Sequence, residues 1–458
     1  MLASLSDRIE SVALRSAPKA AARVLGAIPP SALEALQRAR FRRTLQRAAE
    51  RSSFYREEFR RRGIDVKRIE HPSQLGDFYT TGEDIRTRGA DAFTTRRGDT
   101  AFETTGTTSP VPKRIVFSQR ELDRIGCASA AALTMLGLQP GDTVLSAFDC
   151  SFWVSPAVVR SALQYIGCFH VEAGKIHPCE FYERALRYRP SIIFGEPSWI
   201  VRLSEVAAER GTWPVRFLCA GGENLTEQAR RAVEAVWNAP LYLNYGQTEA
   251  FGSLGLECRE QQGYHRNDLH FLFEIDGADQ HGQGELVYTT LTRDVMPLIR
   301  YRSSDITQLI DEPCPCGLFA RRIAKICGRA DEMVVCGMGN VGPWVFGELL
   351  RDVPVVGDEW QALVTSDGPR DVIELRMECD APVDPAAIQR TVLERLRTTF
   401  PDFWKNLEMR LYDLRVIASP AGTLRRDRKL RRVVDQREMN GALGRETQSP
   451  GPAARCDR

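Results

Sequence analysis

Apolar and polar positions along the chain follow two periods. Short β-branched or apolar runs occur as RIVFS (114–118), DTVLSAF (142–148), PSIIFGEPS (190–198), VRFLCAGGE (215–223) and PLYLNYGQTE (240–249). Between them lie stretches of helical period, such as QRELDRIGCASAAALTML (119–136) and LTEQARRAVEAVW (225–237). Strand–helix alternation of this kind predicts an α/β fold with a parallel or mixed sheet covered on both faces. Ligands of such sheets sit beyond the carboxyl ends of the strands. The turns FGEPS, AGGEN and NYGQTEA each follow a predicted strand, so one crevice can gather all three.

From about residue 284 the pattern changes. GELVYTTLT and MPLIRYRSSDITQLI read as β-rich, and GRADEMVVCGMGN (328–340) opens a last segment of β, α and β character. The expected organisation is a large N-terminal domain over 1–327, a small α+β domain over 328–440, and a Gly-, Pro- and polar-rich tail over 441–458 with the composition of disorder. Residues 32–62 have helical period and hold an arginine-rich run, RARFRRTLQRAAERSSFYREEFRRR. Acids interleave with the cations, so a solvated helical face is expected there rather than a binding arm.

Composition narrows the function classes. The 458 residues suffice for more than one domain, with 43% hydrophobic and 27% charged residues. A formal charge of +2 argues against a general nucleic-acid or polyanion binder. Charges interrupt every apolar stretch before ~18 residues accumulate, so no membrane-spanning helix is expected. The first residues lack the uninterrupted apolar core of a secretory signal. Twelve cysteines without such a signal suggest reduced thiols and a cytoplasmic protein.

Three stretches carry candidate chemistry. FETTGTTSPVPKR (102–114) is dense in hydroxyls around one glycine and closes on two cations. Glycine admits close backbone approach and hydroxyls add donors, which suits phosphate oxygens. No Gly-Lys-Ser/Thr follows, so the loop is not a Walker A motif, and an ordinary Thr-rich turn is the competing reading. FDCSFWVSPAVV (148–159) places Phe148, Phe152 and Trp153 near a strand end, as an aryl pocket or as plain core packing. Cys258 and His265 in ECREQQGYH, with Cys314 and Cys316 in EPCPCG, suit a closed tetrahedral zinc site joining two loops. A Cys-x-Cys disulfide is too strained to compete, whereas reduced cysteines in a Pro-rich turn remain an alternative.

TTGTT, AGGEN, NYGQTEA, RYRSSDIT, GRADEM and a late lysine in RRDRKLRRVVDQR follow one another in order. With these motifs the chain, from about 36 to 437, resembles the adenylate-forming enzymes, most closely their phenylacetate–CoA ligase branch. The resemblance implies ATP-dependent activation of a small, aromatic carboxylic acid to an acyl-adenylate, then transfer to coenzyme A. It implies that Thr104, Thr105, Gly106, Thr107 and Thr108 cradle the β- and γ-phosphates and that Glu249 holds Mg²⁺. Thr248 would reach the α-phosphate, and Tyr245 would stack on adenine beside Gly246 and Gln247. Gly221, Gly222 and Glu223 would line the base, Asp305 would accept the ribose hydroxyls, and Arg329 would sit near ribose and phosphates. Lys429, on a small mobile domain, would touch the α-phosphate and the substrate carboxylate, with Asp331 as the hinge. Members of the branch carry Cys/His/Cys/Cys at the four metal-candidate positions, which implies structural Zn²⁺, and dimers are common among them.

The chain departs from the family in three places. The usual Gly-Lys-Pro is replaced by Ser109-Pro110-Val111-Pro112-Lys113, one residue longer; Arg428 stands at the glycine before the late lysine; and Cys336 stands at a usual arginine. The alternatives left open are transfer of the acyl group to a carrier-protein thiol or an amine, and a degenerate homologue that binds nucleotide without catalysis.

Overall fold

The computed structural model describes residues 28–104, 112–318, 320–331, 333–351, 353, 356–379, 384–420, 422–424 and 431–437. The expectations for Thr105, Gly106, Thr107, Thr108, Lys429 and the tail 441–458 lie outside the described residues.

The helices Pro30–Arg51 and Ser53–Arg61 bury Phe41, Leu45, Phe54, Tyr55 and Phe59 on their inner faces. Ser52 separates them, and its hydroxyl caps the second helix by accepting from the Tyr55 amide. An antiparallel hairpin follows, β1 (Thr100–Glu103) and β2 (Arg114–Phe117). The chain then builds β3 (Thr143–Ser146), β4 (Phe169–Glu172), β5 (Ile192–Gly195), β6 (Phe217–Gly221), β7 (Leu241–Gln247), β8 (Gly252–Glu257) and β9 (Tyr264–Arg266). With β10 (Phe271–Asp276), β11 (Gly284–Thr290), β12 (Tyr301–Thr307), β13 (Leu309–Ile310), β14 (Arg322–Ile323) and β15 (Gly328–Arg329) the large domain is complete.

Nine of these strands form one mixed sheet in the order β13-β14-β9-β8-β7-β6-β5-β3-β4. From β4 to β7 neighbours run parallel, and from β7 outward they run antiparallel. Alternate residues feed two cores, as period-2 geometry demands. Ile193, Leu218 and Leu241 pack with Trp199, Ile200, Val233 and Trp237 of the helices Pro197–Arg210 and Glu227–Trp237. Ile192, Phe194, Phe217 and Cys219 pack with Ala130, Leu133, Ala162 and Leu163 of the helices Gln119–Met135 and Ser155–Ile166. The predicted cover on both faces is therefore present. The edge strand β4, FHVE, escapes the sequence reading because its residues are exposed or half-buried and show no continuous apolar run.

A second sheet, β10-β11-β12-β15, is antiparallel throughout and pairs Asp305 with Arg329. After β15 a separate core begins at Val334 and runs to Val433. It contains the hairpin β16 (Val334–Cys336) and β17 (Gly339–Val341), and the sheet of β18 (Val356–Asp367), β19 (Arg370–Cys379), β20 (Tyr412–Pro420) and β21 (Val433–Asp435). The helices Pro343–Leu350, Pro385–Thr399 and Pro401–Glu408 accompany them. A large α/β domain thus carries a small α+β one. Among the described residues no helix is long and apolar enough to cross a membrane.

Candidate active site

The carboxyl ends of β6 and β7, the hairpin β1–β2 and the second sheet converge on one cleft. Thr104, Lys113, Gly222, Glu223, Tyr245, Gly246, Gln247, Thr248, Glu249, Asp305 and Arg329 all line it. The base of the hydroxyl-rich loop is pinned: the Thr104 amide donates to the Lys113 carbonyl at 3.0 Å, and the Lys113 amide to Thr104 Oγ1 at 3.1 Å. Lys113 Nζ lies 2.5 Å from Glu249 Oε1 and donates to the Tyr301 hydroxyl at 3.1 Å. The Tyr301 hydroxyl donates to the same Glu249 oxygen at 2.8 Å. Burial alone raises the Glu249 carboxyl, but the Lys113 charge and these hydrogen bonds outweigh it and hold the group below its ordinary value.

At the other end of the cleft Asp305 accepts three side-chain hydrogen bonds. Tyr245 donates to Oδ2 at 2.6 Å, Gln247 Nε2 to Oδ2 at 2.8 Å, and Arg329 Nη1 to Oδ1 at 2.6 Å. Arg329 also forks onto Asp331 at 2.9 and 2.8 Å. Burial raises the Asp305 carboxyl, against the pull of Arg329. Tyr245 belongs to the core as well as to the cleft, and burial beside Asp305 raises its hydroxyl well above the ordinary value.

Glu223 follows β6 and accepts from the Ser198 amide at 2.9 Å and from its hydroxyl at 3.0 Å. Burial and the nearby Glu196 push its carboxyl up to about 8, with Lys175 opposing them. Lys175 is paired with Glu196. Gly222 has φ +98° and faces Trp153, whose ring would lie 3.0 Å from an added Cβ, so only glycine suits both backbone and space.

Beyond Trp153 and Gly222 the cleft opens in two directions. One is a cavity of about 100 Å³ walled by Phe148, Trp153, Val158, Phe194 and Leu256, with Asn244 and Thr248 as polar groups. The other is a cavity of about 980 Å³ between the domains, reached by Lys175, Glu196 and Glu223 from the large domain and by Trp344, Phe403 and Lys405 from the small one.

Far along the nine-stranded sheet, the ligand atoms of Cys258, His265, Cys314 and Cys316 lie within 4.8 Å of one another. Cys258 and Cys314 sulfurs are 3.7 Å apart, and Cys316 Sγ is 3.3 Å from His265 Nε2. Two thiolates each ~2.3 Å from a tetrahedral ion stand about 3.8 Å apart, so the cluster has the span of a zinc site. His265 Nδ1 faces the Ala320 carbonyl at 2.9 Å, which fixes the ring and leaves Nε2 for a metal.

The AMP-binding enzyme family profile matches residues 100–268, which include the hairpin, β6, β7 and Glu249. A phenylacetate-coenzyme A ligase from Thermus thermophilus is 28% identical over 440 residues, 90% of this chain and 99% of its own. One from Aromatoleum evansii is 27% identical over 364 residues, 76% of this chain and 81% of its own. The chain is thus similar to AMP-binding enzymes over residues 100–268 and to phenylacetate-coenzyme A ligases over most of its length. Its fold is shared with 2-hydroxyisobutyryl-CoA ligase in complex with 2-HIB-AMP and CoA in the thioesterification state. That match has a TM-score of 0.73 at 22% identity and covers 90% of this chain and 91% of the other.

Most residues singled out from the sequence that lie among the described ones meet in this one cleft. Phe152 does not: it is 71% exposed and lies outside the apolar cavity that Phe148 and Trp153 wall. Asp331 sits between β15 and β16, where one core gives way to the next. Sequence reasoning missed the buried Lys175–Glu196 pair and the small-domain residue Asn340 in the cleft. Lys175 lies in EAGKIHP, a polar turn whose only signal is a lone cation, and Asn340 reaches the cleft by domain packing alone.

Proposed function

We propose that this chain joins ATP to a small carboxylic acid, with a single-ring aromatic acid favoured by the pocket walls, and passes the acyl group to coenzyme A. The observation that carries this reading is one cleft where Lys113, Glu249, Asp305 and Arg329 meet, opening past Trp153 into an apolar cavity. A carboxylate and a triphosphate repel each other, so the site must supply fixed positive charge and align the attack.

Lys113 brings a cation to the phosphate end, at the foot of the hydroxyl-rich loop. Glu249, kept ionised by Lys113, would hold Mg²⁺ as one carboxylate ligand, and the ion would supply positive charge to the triphosphate end of the cleft. Asp305, fixed by Tyr245, Gln247 and Arg329, faces the cleft where ribose hydroxyls can donate to it. The Thr248 hydroxyl stands where the apolar cavity meets the nucleotide cleft, placed to serve an α-phosphate oxygen. A carboxylate oxygen bonds to the α-phosphorus as the bond to pyrophosphate breaks. A thiol then bonds to the acyl carbon, its proton is lost and AMP departs. The domain-spanning cavity offers that thiol a route to Trp153 and Gly222.

The Cys258, His265, Cys314 and Cys316 cluster would hold a structural Zn²⁺. All four positions of a tetrahedron are taken by protein, so the ion would stabilise two loops and take no part in the reaction.

Acid-dependent exchange of labelled pyrophosphate into ATP, over a panel of aryl and short aliphatic acids, tests the first half. Mass spectrometry of the products with coenzyme A tests the second. Exchange with at least one acid and a matching acyl-CoA mass are expected. No exchange with any acid would refute the ligase reading, and exchange with no thioester would refute coenzyme A as acceptor.

A further inference from the structure

Part of the arginine run of the first helix lines a cavity. Arg43, Arg47 and Arg51 stand four residues apart on the Pro30–Arg51 helix, and Arg120 and Arg124 stand four apart on the Gln119–Met135 helix. Residues so spaced share a helix face. The two ladders, with Arg96 between them, wall a cavity of about 530 Å³. Six guanidinium groups line it against two carboxylates, Glu50 and Asp294. Asp294 is taken by Arg47 at 2.6 Å, and Glu50 accepts from Gln46 at 2.9 Å. Among the described residues no acid pairs with Arg51, Arg96 or Arg120.

Two further features point to a ligand. Arg120 lies in the first turn of a 17-residue helix, where the positive end of the helix dipole disfavours a cation. Local charge rules broken without local compensation tend to mark functional sites. The lining also contains no aromatic and no aliphatic residue, so the cavity offers charge and hydrogen bonds in place of an apolar wall.

We propose that this cavity is a second anion site, separate from the nucleotide cleft, for a compact polyanion bearing two or more phosphate groups. Guanidinium forks match phosphate oxygens two at a time, and several around one small space neutralise a multiply charged ligand. The two sites share no lining residue. They are nevertheless joined by one turn. Arg124 Nη1 donates to the Thr292 carbonyl at 2.6 Å, and Arg293 Nη1 donates to the Glu249 carbonyl at 2.8 Å.

The test is calorimetric titration of the full chain with sodium tripolyphosphate at fixed ionic strength. The variant Arg51→Ala/Arg120→Ala is compared with Arg184→Ala/Arg187→Ala, which removes equal charge from the exposed face of the distant Pro178–Tyr188 helix. We expect the first pair to weaken one class of binding at least about tenfold and the second to leave it unchanged. Thermal melting without ligand checks that each variant folds. If the alanine pair does not fold, Arg51→Lys/Arg120→Lys keeps the charge but loses the fork, and is expected to weaken binding several-fold. Absence of any binding class sensitive to positions 51 and 120, or equal weakening by the distant pair, overturns the proposal.

Discussion

Burial makes the Glu249 charge costly, and Lys113 with the Tyr301 hydroxyl more than offsets the cost. A carboxylate held below its ordinary value contributes stability that is present above that value and lost as pH falls through the lowered one. Glu249, the carboxylate proposed to hold magnesium, therefore stays ionised throughout the neutral range. Glu249→Gln should lower acid-dependent exchange by at least ~10²-fold. Leaving Lys113 unpaired in a buried place should also cost about 3 kcal/mol or more of folding stability. Exchange assays beside denaturant melts check both; near-normal exchange would remove Glu249 from the phosphate site.

Glu223 has the opposite sign. Burial and Glu196 raise it to about 8, so stability from its neutral form is full below the ordinary carboxyl range and is lost as pH rises through about 8. The melting temperature of the wild type, relative to Glu223→Gln, should fall steadily from about pH 5 to 9. A difference independent of pH would mean that Lys175 holds Glu223 ionised instead. At this scale Glu249 and Asp305 could be singled out because each stands in a motif, Glu249 just after β7 and Asp305 within β12. The Lys175–Glu196 pair was not, since 21 positions separate its members and only the sheet brings them together.

Among the elements, continuous apolar runs announced β3, β5, β6 and β7, because strands buried on both faces must be apolar throughout. The same rule hides β4 at the sheet edge, and pairings such as β19 with β20 and β18 with β21 are tertiary facts that no local pattern records. Cysteine pairs are different, since their residue type and spacing survive in the sequence whatever the strands around them do. Cys258 follows β8, His265 lies in β9, and Cys314 and Cys316 sit between β13 and β14, so a metal would clip two antiparallel connections at the sheet's far end. Elemental analysis should find about one zinc per chain. Cys316→Ser, or a strong chelator, should release it and lower the melting temperature by several degrees, at ~2–4 °C per kcal/mol for a domain of this size. A metal-free protein with unchanged melting would leave the cluster as four reduced side chains.

At the scale of the whole molecule, the small domain rests on the large one at a few defined points. Arg370 at the start of β19 forks onto Glu205 of the Pro197–Arg210 helix at 2.6 Å through two nitrogens. Gly337, in the turn between β16 and β17, lies so close that an added Cβ would meet the Leu411 carbonyl at 2.2 Å and Ser198 Cβ at 3.1 Å. Ser198 is the residue that fixes Glu223, so crowding at 337 pushes on the nucleotide cleft and on the cavity between the domains together. The Leu411 carbonyl belongs to the small domain and cannot swing aside as a flexible side chain would, so that clash must be relieved within the small domain, while the Ser198 contact presses across to the large one. Gly337→Val should therefore destabilise the small domain by ~1–3 kcal/mol and, by shifting its face against Ser198, slow thioester formation about tenfold or more. Acid-dependent exchange, whose cleft is lined mainly by large-domain residues, should change only a few-fold. Single-turnover measurement of the two half-reactions separates these effects. If both fall in parallel with the melting temperature, Gly337 is a packing residue of the fold and the cavity it guards is not the acceptor's route.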